Sequence, residues 1–147
     1  MAGFKGQAEY SVDRKGRVTI PAKMREAVSP EANKTFTVTR GFEQCVFLYP
    51  MDIWSEIEEE IGGLNRYSRE ARDYVRFFMR WAEEVTLDAQ GRVKLPGSLI
   101  DFAEIDGKGL IIGAFDHVEV WNPDVFEHHL HEEADEYEAL AEHVMST

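Results

Sequence analysis

The sequence predicts an α+β fold, mainly β, made of two tandem copies of one strand–strand–helix–strand–strand unit. Three observations predict it. The segment Val12–Pro21 recurs as Leu87–Pro96, keeping Asp, Gly, Arg, Val and Pro at an offset of 75 residues. A second block, Arg40-Gly41 followed by Val46 to Pro50, recurs as Ile112-Gly113 followed by Val118 to Asn122, at an offset of 72. Two blocks recurring in the same order mark a duplicated unit, with one connecting loop shorter in the second copy. Finally, 44% of the 147 residues are hydrophobic, enough to bury a core.

The elements of one unit follow from local chemistry. Glu9 to Val12 reads as a short strand. Asp13-Arg14-Lys15-Gly16 reads as a turn, because Gly16 tolerates the positive φ that closes a hairpin loop. Arg17 to Ile20 returns as the second strand, with Val18 and Ile20 on one face. Pro21 cannot continue a central strand but suits the first turn of a helix. Met24, Ala27 and Val28 form that helix's apolar stripe, and Ser29-Pro30 ends it. Phe36 to Thr39 and Cys45 to Tyr49 read as a second hairpin. The second copy repeats the unit with Val85–Leu87, Val93–Leu95, a helix near Ser98–Ala103, Leu110–Gly113 and Val118–Trp121. Between the copies, Met51 to Ile61 carries Ile53, Ile57 and Ile61 at spacings of four and stops at Gly62-Gly63. Ser68 reads as the N-cap of a helix to about Ala82, with Ala71, Val75, Phe78 and Met79 as its stripe. Val75 and Phe78 are expected to bury surface between subunits. From Pro123 onward the chain reads as one acidic, His-rich helix.

Charge is unevenly spread. The net charge is −12. Residues 1–25 nevertheless carry six basic side chains against two acidic ones, and residues 109–147 carry ten carboxylates and no Lys or Arg. Phosphate contacts need a local basic surface rather than a basic protein. A short basic run also suits a merely solvated face. No apolar stretch is long enough to span a bilayer and no signal-peptide pattern opens the chain, so a soluble cytoplasmic protein is expected. The single Cys45 sits among apolar neighbours and reads as a small core residue. Trp54, Trp81 and Trp121 read as packing residues.

The motifs support a resemblance. Asp13, Lys15, Gly16 and Arg17 followed by Ile20 to Arg25, then Thr39-Arg40-Gly41 through Cys45 to Pro50, resemble signatures of the MraZ family. Arg76-Phe77-Phe78 is similar to its central motif, and Leu87, Asp88, Gln90, Gly91, Arg92 and Pro96 to its repeated half. The match spans roughly residues 7 to 127 in order. The resemblance implies two pseudo-symmetric, AbrB-like (SpoVT/AbrB) swapped-hairpin motifs in one β-barrel, over residues 7–53 and 83–126. A helical linker covers 54–82 and an acidic helical tail 127–147. It implies a homo-oligomeric ring, an octamer or similar, without a membrane partner. It also implies a nucleoid-associated transcriptional regulator that binds double-stranded DNA at repeated sites upstream of its own operon in the division and cell-wall cluster.

The turn has a chemistry of its own. Asp13 and Arg17 flank it, so the carboxylate can fix the direction of the guanidinium fork, which then takes a guanine edge or a phosphate. The same spacing also suits a structural ion pair across the hairpin. Together with the resemblance, it makes Arg14, Lys15, Gly16 and Arg17 the candidate DNA-binding residues and Asp13 the orienting carboxylate. In the second turn Asp88 and Arg92 remain while Ala89 and Gln90 replace the tip cations. Either that pair is kept for folding or Arg92 contacts DNA less strongly. His128, His129 and His131 with Glu127, Glu132 and Asp135 read as a solvated polar helix face rather than a metal site. No phosphate loop, nucleophile elbow or supported carboxylate pair appears, so neither an enzyme nor a cofactor is expected. The competing reading is a protein-interaction module, a scaffold ring or antitoxin-like, without strong DNA binding.

Overall fold

In this computed structural model, residues 3–132 and 136–146 are described. Each repeat opens with a strand and a tight turn: β1 (Gln7–Ser11) leads to β2 (Arg17–Thr19), and β5 (Glu83–Thr86) leads to β6 (Arg92–Lys94). Short helices follow, α1 (Ala22–Ala27) and α4 (Gly97–Phe102), each preceded by a proline, Pro21 or Pro96. A single 3₁₀ turn at Pro30–Ala32 follows α1. The second hairpins are β3 (Thr35–Arg40) with β4 (Val46–Pro50) and β7 (Lys108–Gly113) with β8 (Val118–Trp121). Two linker helices, α2 (Met51–Gly62) and α3 (Arg69–Met79), join the copies, and Ser68 caps α3 by accepting from the Ala71 N–H. The predicted unit order is therefore present in both halves.

The pairing differs from the expected first hairpin. β1 and β2 share a closed turn but do not pair with each other. β1 pairs with β7 and β5 pairs with β3, so each repeat gives its first strand to the other. β2 pairs with β6 in a separate two-stranded ribbon. The large sheet runs β1-β7-β8-β4-β3-β5. Two registers, one in the ribbon and one in the sheet, expose the symmetry. Val18 pairs with Val93, its own equivalent 75 residues on, and Phe47 pairs with Glu119, its own equivalent 72 residues on. A pseudo-two-fold axis therefore passes through the ribbon and the β4–β8 contact.

Period-two alternation divides the core into two layers. Val46 and Leu48 of β4 join Val18, Val93, Ile20, Leu95, Phe36, Val38, Val118 and Val120 between sheet and ribbon. Cys45, Phe47 and Tyr49 face the opposite side and pack with Trp54, Ile53, Phe78 and Trp121. This is why every residue of β4 is buried. Fully burying each aliphatic side chain stabilises the fold by roughly 1.5–3 kcal/mol. Trp54 and Trp121 pack as expected, and Trp81 packs on Phe102. Burial pushes the Cys45 thiol well above its ordinary range, with Glu119 and Glu43 adding to the shift.

Two expectations are corrected here. Phe78 does not lie on a surface free for a neighbouring subunit, because it stacks on Trp54 and Tyr74 inside the second layer. Phe77 is the exposed ring instead, at 60%. The tail is two helices, α5 (Pro123–Glu132) and α6 (Tyr137–Met145), rather than one. Of the tail carboxylates named above, Asp135 lies outside the described residues.

The second layer also holds an ionisable cluster that the sequence did not announce. His117 packs against both the Phe47 and Tyr49 rings, with ring centroids 4.4 and 5.2 Å away. Its Nδ1 is 2.7 Å from Asp116 Oδ1 and its Nε2 is 2.9 Å from Glu119 Oε2. Trp121 Nε1 donates to Glu119 Oε1 at 2.9 Å. Burial disfavours the imidazolium, but the bonds and charges of Glu119 and Asp116 outweigh it and raise the His117 pKa. Burial pushes Glu119 upward, and the bonds from His117 and Trp121 outweigh that and hold it below its ordinary value.

Candidate nucleic-acid interface

The two Asp–Gly–Arg turns have the same construction. Asp13 Oδ1 accepts from the backbone N–H groups of Lys15 and Arg17 at 3.0 and 2.8 Å, and Oδ2 accepts from Arg17 Nε at 2.7 Å. In the second turn, Asp88 Oδ1 accepts from Gln90 and Arg92 N–H groups, and Oδ2 accepts from Arg92 Nε, all at 2.9 Å. One carboxylate thus shapes the turn with one oxygen and holds a guanidinium with the other. The Arg17 backbone N–H is the largest cause keeping the Asp13 carboxyl below its ordinary pKa. Desolvation is the next largest cause and opposes it, while the Arg17 side chain and the Lys15 N–H add to the lowering. Arg92 acts on Asp88 in the same way, assisted by the Gln90 N–H. Gly16 and Gly91 close the turns at φ of 82° and 77°, which L side chains rarely adopt.

Strand pairing sets the two turns at opposite ends of the ribbon. Leu95 N–H donates to Gly16 O at 2.8 Å, and Ile20 N–H donates to Gly91 O at 3.0 Å. Four residues along a strand separate these points, roughly 14 Å. Val18 and Val93 point into the core, so Arg17, Thr19, Arg92 and Lys94 alternate onto the other face. Arg17 stands opposite Lys94, and Thr19 opposite Arg92. Arg14 and Lys15 are exposed at the tip of the first turn, as are Ala89 and Gln90 at the second. Arg14, Lys15, Arg17 and Arg92 therefore gather on the ribbon's outer face and turns, whereas Gly16 is buried within the first turn.

Two cations of that surface escaped the sequence reading. Lys94 is the repeat equivalent of Thr19, and only its cross-strand position beside Arg17 brings it to the site. Arg25 lies on α1, yet its guanidinium covers Gly91 of the second turn, where a Cβ would fall on its Nη1, Cζ and Nε. Its Nε donates to Ile20 O at 2.9 Å. The equivalent position 75 residues on is Ile100, whose Cδ1 lies 2.9 Å from where a Cβ of Gly16 would stand. Both were invisible because they depend on pairing between repeats.

The histidines of α5 lie elsewhere. His131 Nε2 is 3.5 Å from Glu127 Oε2, and the His129 ring lies 5.4 Å from Trp121. Among the described residues, no group of three or more His, Cys, Asp and Glu is placed to hold a metal ion. Among those residues, too, no helix is long and apolar enough to cross a membrane.

Comparison with known proteins agrees with the duplication. The family described as "MraZ protein, putative antitoxin-like" matches residues 4–77 and again residues 78–145. The chain is 40% identical to a protein of Moorella thermoacetica over 139 residues, 95% of this chain and 94% of that one. It is 39% identical to a protein of Syntrophomonas wolfei and 37% identical to one of Natranaerobius thermophilus, each over 97% of this chain and 96% of the relative. All three relatives carry the name Transcriptional regulator MraZ. With both repeats matched and these relatives aligned nearly end to end, the chain belongs to the MraZ family.

Proposed function

We propose that this chain is a transcriptional regulator that binds duplex DNA sequence-specifically through the outer face of the β2–β6 ribbon. The observation that carries this reading is the pair of guanidinium groups, Arg17 and Arg92, each fixed by an aspartate at the two ends of one basic ribbon. A two-stranded ribbon fits the major groove, and a fixed guanidinium presents two parallel donors to a guanine edge. Arg14, Lys15 and Lys94 add phosphate contacts near the first turn. The name shared by the relatives supports regulation of transcription. The exchange of first strands supports the AbrB-like swapped-hairpin reading, in which the sheet and ribbon belong to one barrel. Family membership supports a cytoplasmic, nucleoid-associated ring acting at repeated sites upstream of its own operon.

The exposed rings Phe42, Tyr74 and Phe77, lying together beside Arg40, support assembly into that ring. Exposed apolar clusters of this kind mark interaction surfaces. The same patch favours the second reading, a scaffold or antitoxin-like module. Selection of bound duplexes from a randomised pool tests the choice. Enrichment of a repeated short motif is expected, with affinity that falls steeply as salt rises. No enrichment over input would overturn sequence-specific binding and leave the scaffold reading.

A further inference from the structure

Three arginines of this surface share one design. Arg17 and Arg92 are anchored through Nε to Asp13 and Asp88, and Arg25 is anchored through Nε to Ile20 O. An arginine has five N–H donors. Among the described residues, each anchor uses the one on Nε, and the terminal nitrogens carry no hydrogen bond. Each guanidinium is therefore held through Nε, and among the described residues its outer nitrogens have no hydrogen-bond partner.

Arg25 differs from the other two in its anchor. A backbone carbonyl holds it, and among the described residues no carboxylate forms an ion pair with it. Its location makes that charge matter. The first turn combines Asp13 and Arg17 with Arg14 and Lys15 at its tip, beside Lys94, and an apolar side chain, Ile100, covers its glycine. The second turn combines Asp88 and Arg92 with neutral Ala89 and Gln90, opposite Thr19, and its glycine is covered by Arg25. Without Arg25 the second turn would carry no net charge, and a neutral turn gains little from a phosphate.

We propose that Arg25 is a phosphate-contacting residue of the DNA interface, supplied by the first repeat to the second turn in place of the missing tip cations. The ribbon's two ends then hold the DNA backbone by different means. One end uses flexible tip side chains of its own turn, and the other uses a guanidinium set on the glycine from the other repeat. Phosphate rather than base is the target, because Arg25 sits beside the turn while Arg17 and Arg92 occupy the outward face of the ribbon. The inference rests on the DNA-binding reading proposed above.

The test uses full-length protein and one duplex enriched by the selection, with a scrambled duplex of equal composition, titrated across a salt series. Arg25→Gln removes the charge while keeping a donor within reach of Ile20 O. One phosphate contact contributes about 0.9 to the slope of log affinity against log salt, so the loss of affinity between roughly 50 and 200 mM salt shrinks about 3.5-fold per engaged subunit. Both duplexes are expected to lose affinity alike. Arg25→Lys is expected to keep the parental slope. Gln90→Lys, added to Arg25→Gln, is expected to restore it by returning a tip cation to the same turn. A folded Arg25→Gln protein of parental oligomer size with an unchanged slope overturns the proposal. A lost slope that Gln90→Lys does not restore also overturns it, since the loss is then not one of charge at this turn. Arg17→Ala separates the two levels of the argument. If that variant binds as the parent does, or the parent shows no salt-dependent binding, the DNA-binding reading itself fails.

Discussion

Replacing Arg17 by lysine isolates the geometry of the fixed guanidinium from its charge. In the parent, Asp13 Oδ2 accepts from Arg17 Nε at 2.7 Å, and among the described residues the terminal nitrogens have no hydrogen-bond partner. A lysine has a single ammonium. If it bonds Asp13 it is withdrawn from the DNA, and if it reaches the DNA it arrives without orientation. The net charge of the turn is unchanged, so the salt slope is expected to match the parent on any duplex. What disappears is the two-donor contact to a base edge, about 1–3 kcal/mol of discrimination per engaged subunit, or roughly 5- to 160-fold. Asp13 and Arg17 are both partly exposed, so the fold itself loses little. The assay is a titration of parent and variant on selected and scrambled duplexes at two salt concentrations, with melting temperature and oligomer size measured alongside. Lys15→Ala serves as the complement, since it is expected to weaken binding to both duplexes and lower the slope by about 0.9. A folded Arg17→Lys protein that keeps the parental ratio of selected to scrambled affinity would refute a reading head built on a fixed fork.

The remaining predictions concern the turn glycines, the buried histidine and the tail. Gly16→Ala carries about 1–2 kcal/mol for its left-handed backbone and sets a Cβ 2.6 Å from Leu95 O, a backbone atom that cannot swing away. Gly91→Ala has a similar backbone cost but meets the movable Arg25 side chain, so denaturation at fixed protein concentration is expected to find Gly16→Ala the less stable; the reverse order contradicts the packing described here. Because the His117 pKa is raised above the ordinary imidazole value of 6.5, its contribution is full below that value and is lost as pH rises through the folded pKa. His117→Gln is expected to flatten the alkaline side of the stability–pH profile, and an unchanged profile would count against the Glu119–His117–Asp116 arrangement. Deleting residues 128–147 removes only carboxylates and histidines among the charged groups, so gel shifts at low salt are expected to show stronger non-specific binding and intact binding to the selected duplex. Loss of that specific binding would place the tail in the interface.

Some of this molecule is written in short stretches of chain. The Asp13–Arg17 and Asp88–Arg92 turns are set by hydrogen bonds that span no more than four residues, together with a glycine at positive φ. Their spacing and repetition therefore announced them, as Ser68 announced the start of α3 and the prolines announced α1 and α4. The duplication was legible for the same reason. Which strand pairs with which was not. β1 has a neighbour in β2 one turn away, yet it pairs with β7, and β2 pairs with β6, because pairing across the repeats lets Val18, Val93 and the sheet share one apolar layer. Burial of surface between segments 73 to 105 residues apart decides that choice, and no local pattern encodes it. Lys94 and Arg25 follow from it, since the first reaches Arg17 only across the ribbon and the second reaches Gly91 only from the other repeat. The apolar stripe of α3 predicted that this helix would bury a face, but both Phe77 and Phe78 are apolar. Only packing against Trp54 assigned Phe78 to the interior and left Phe77 facing outward.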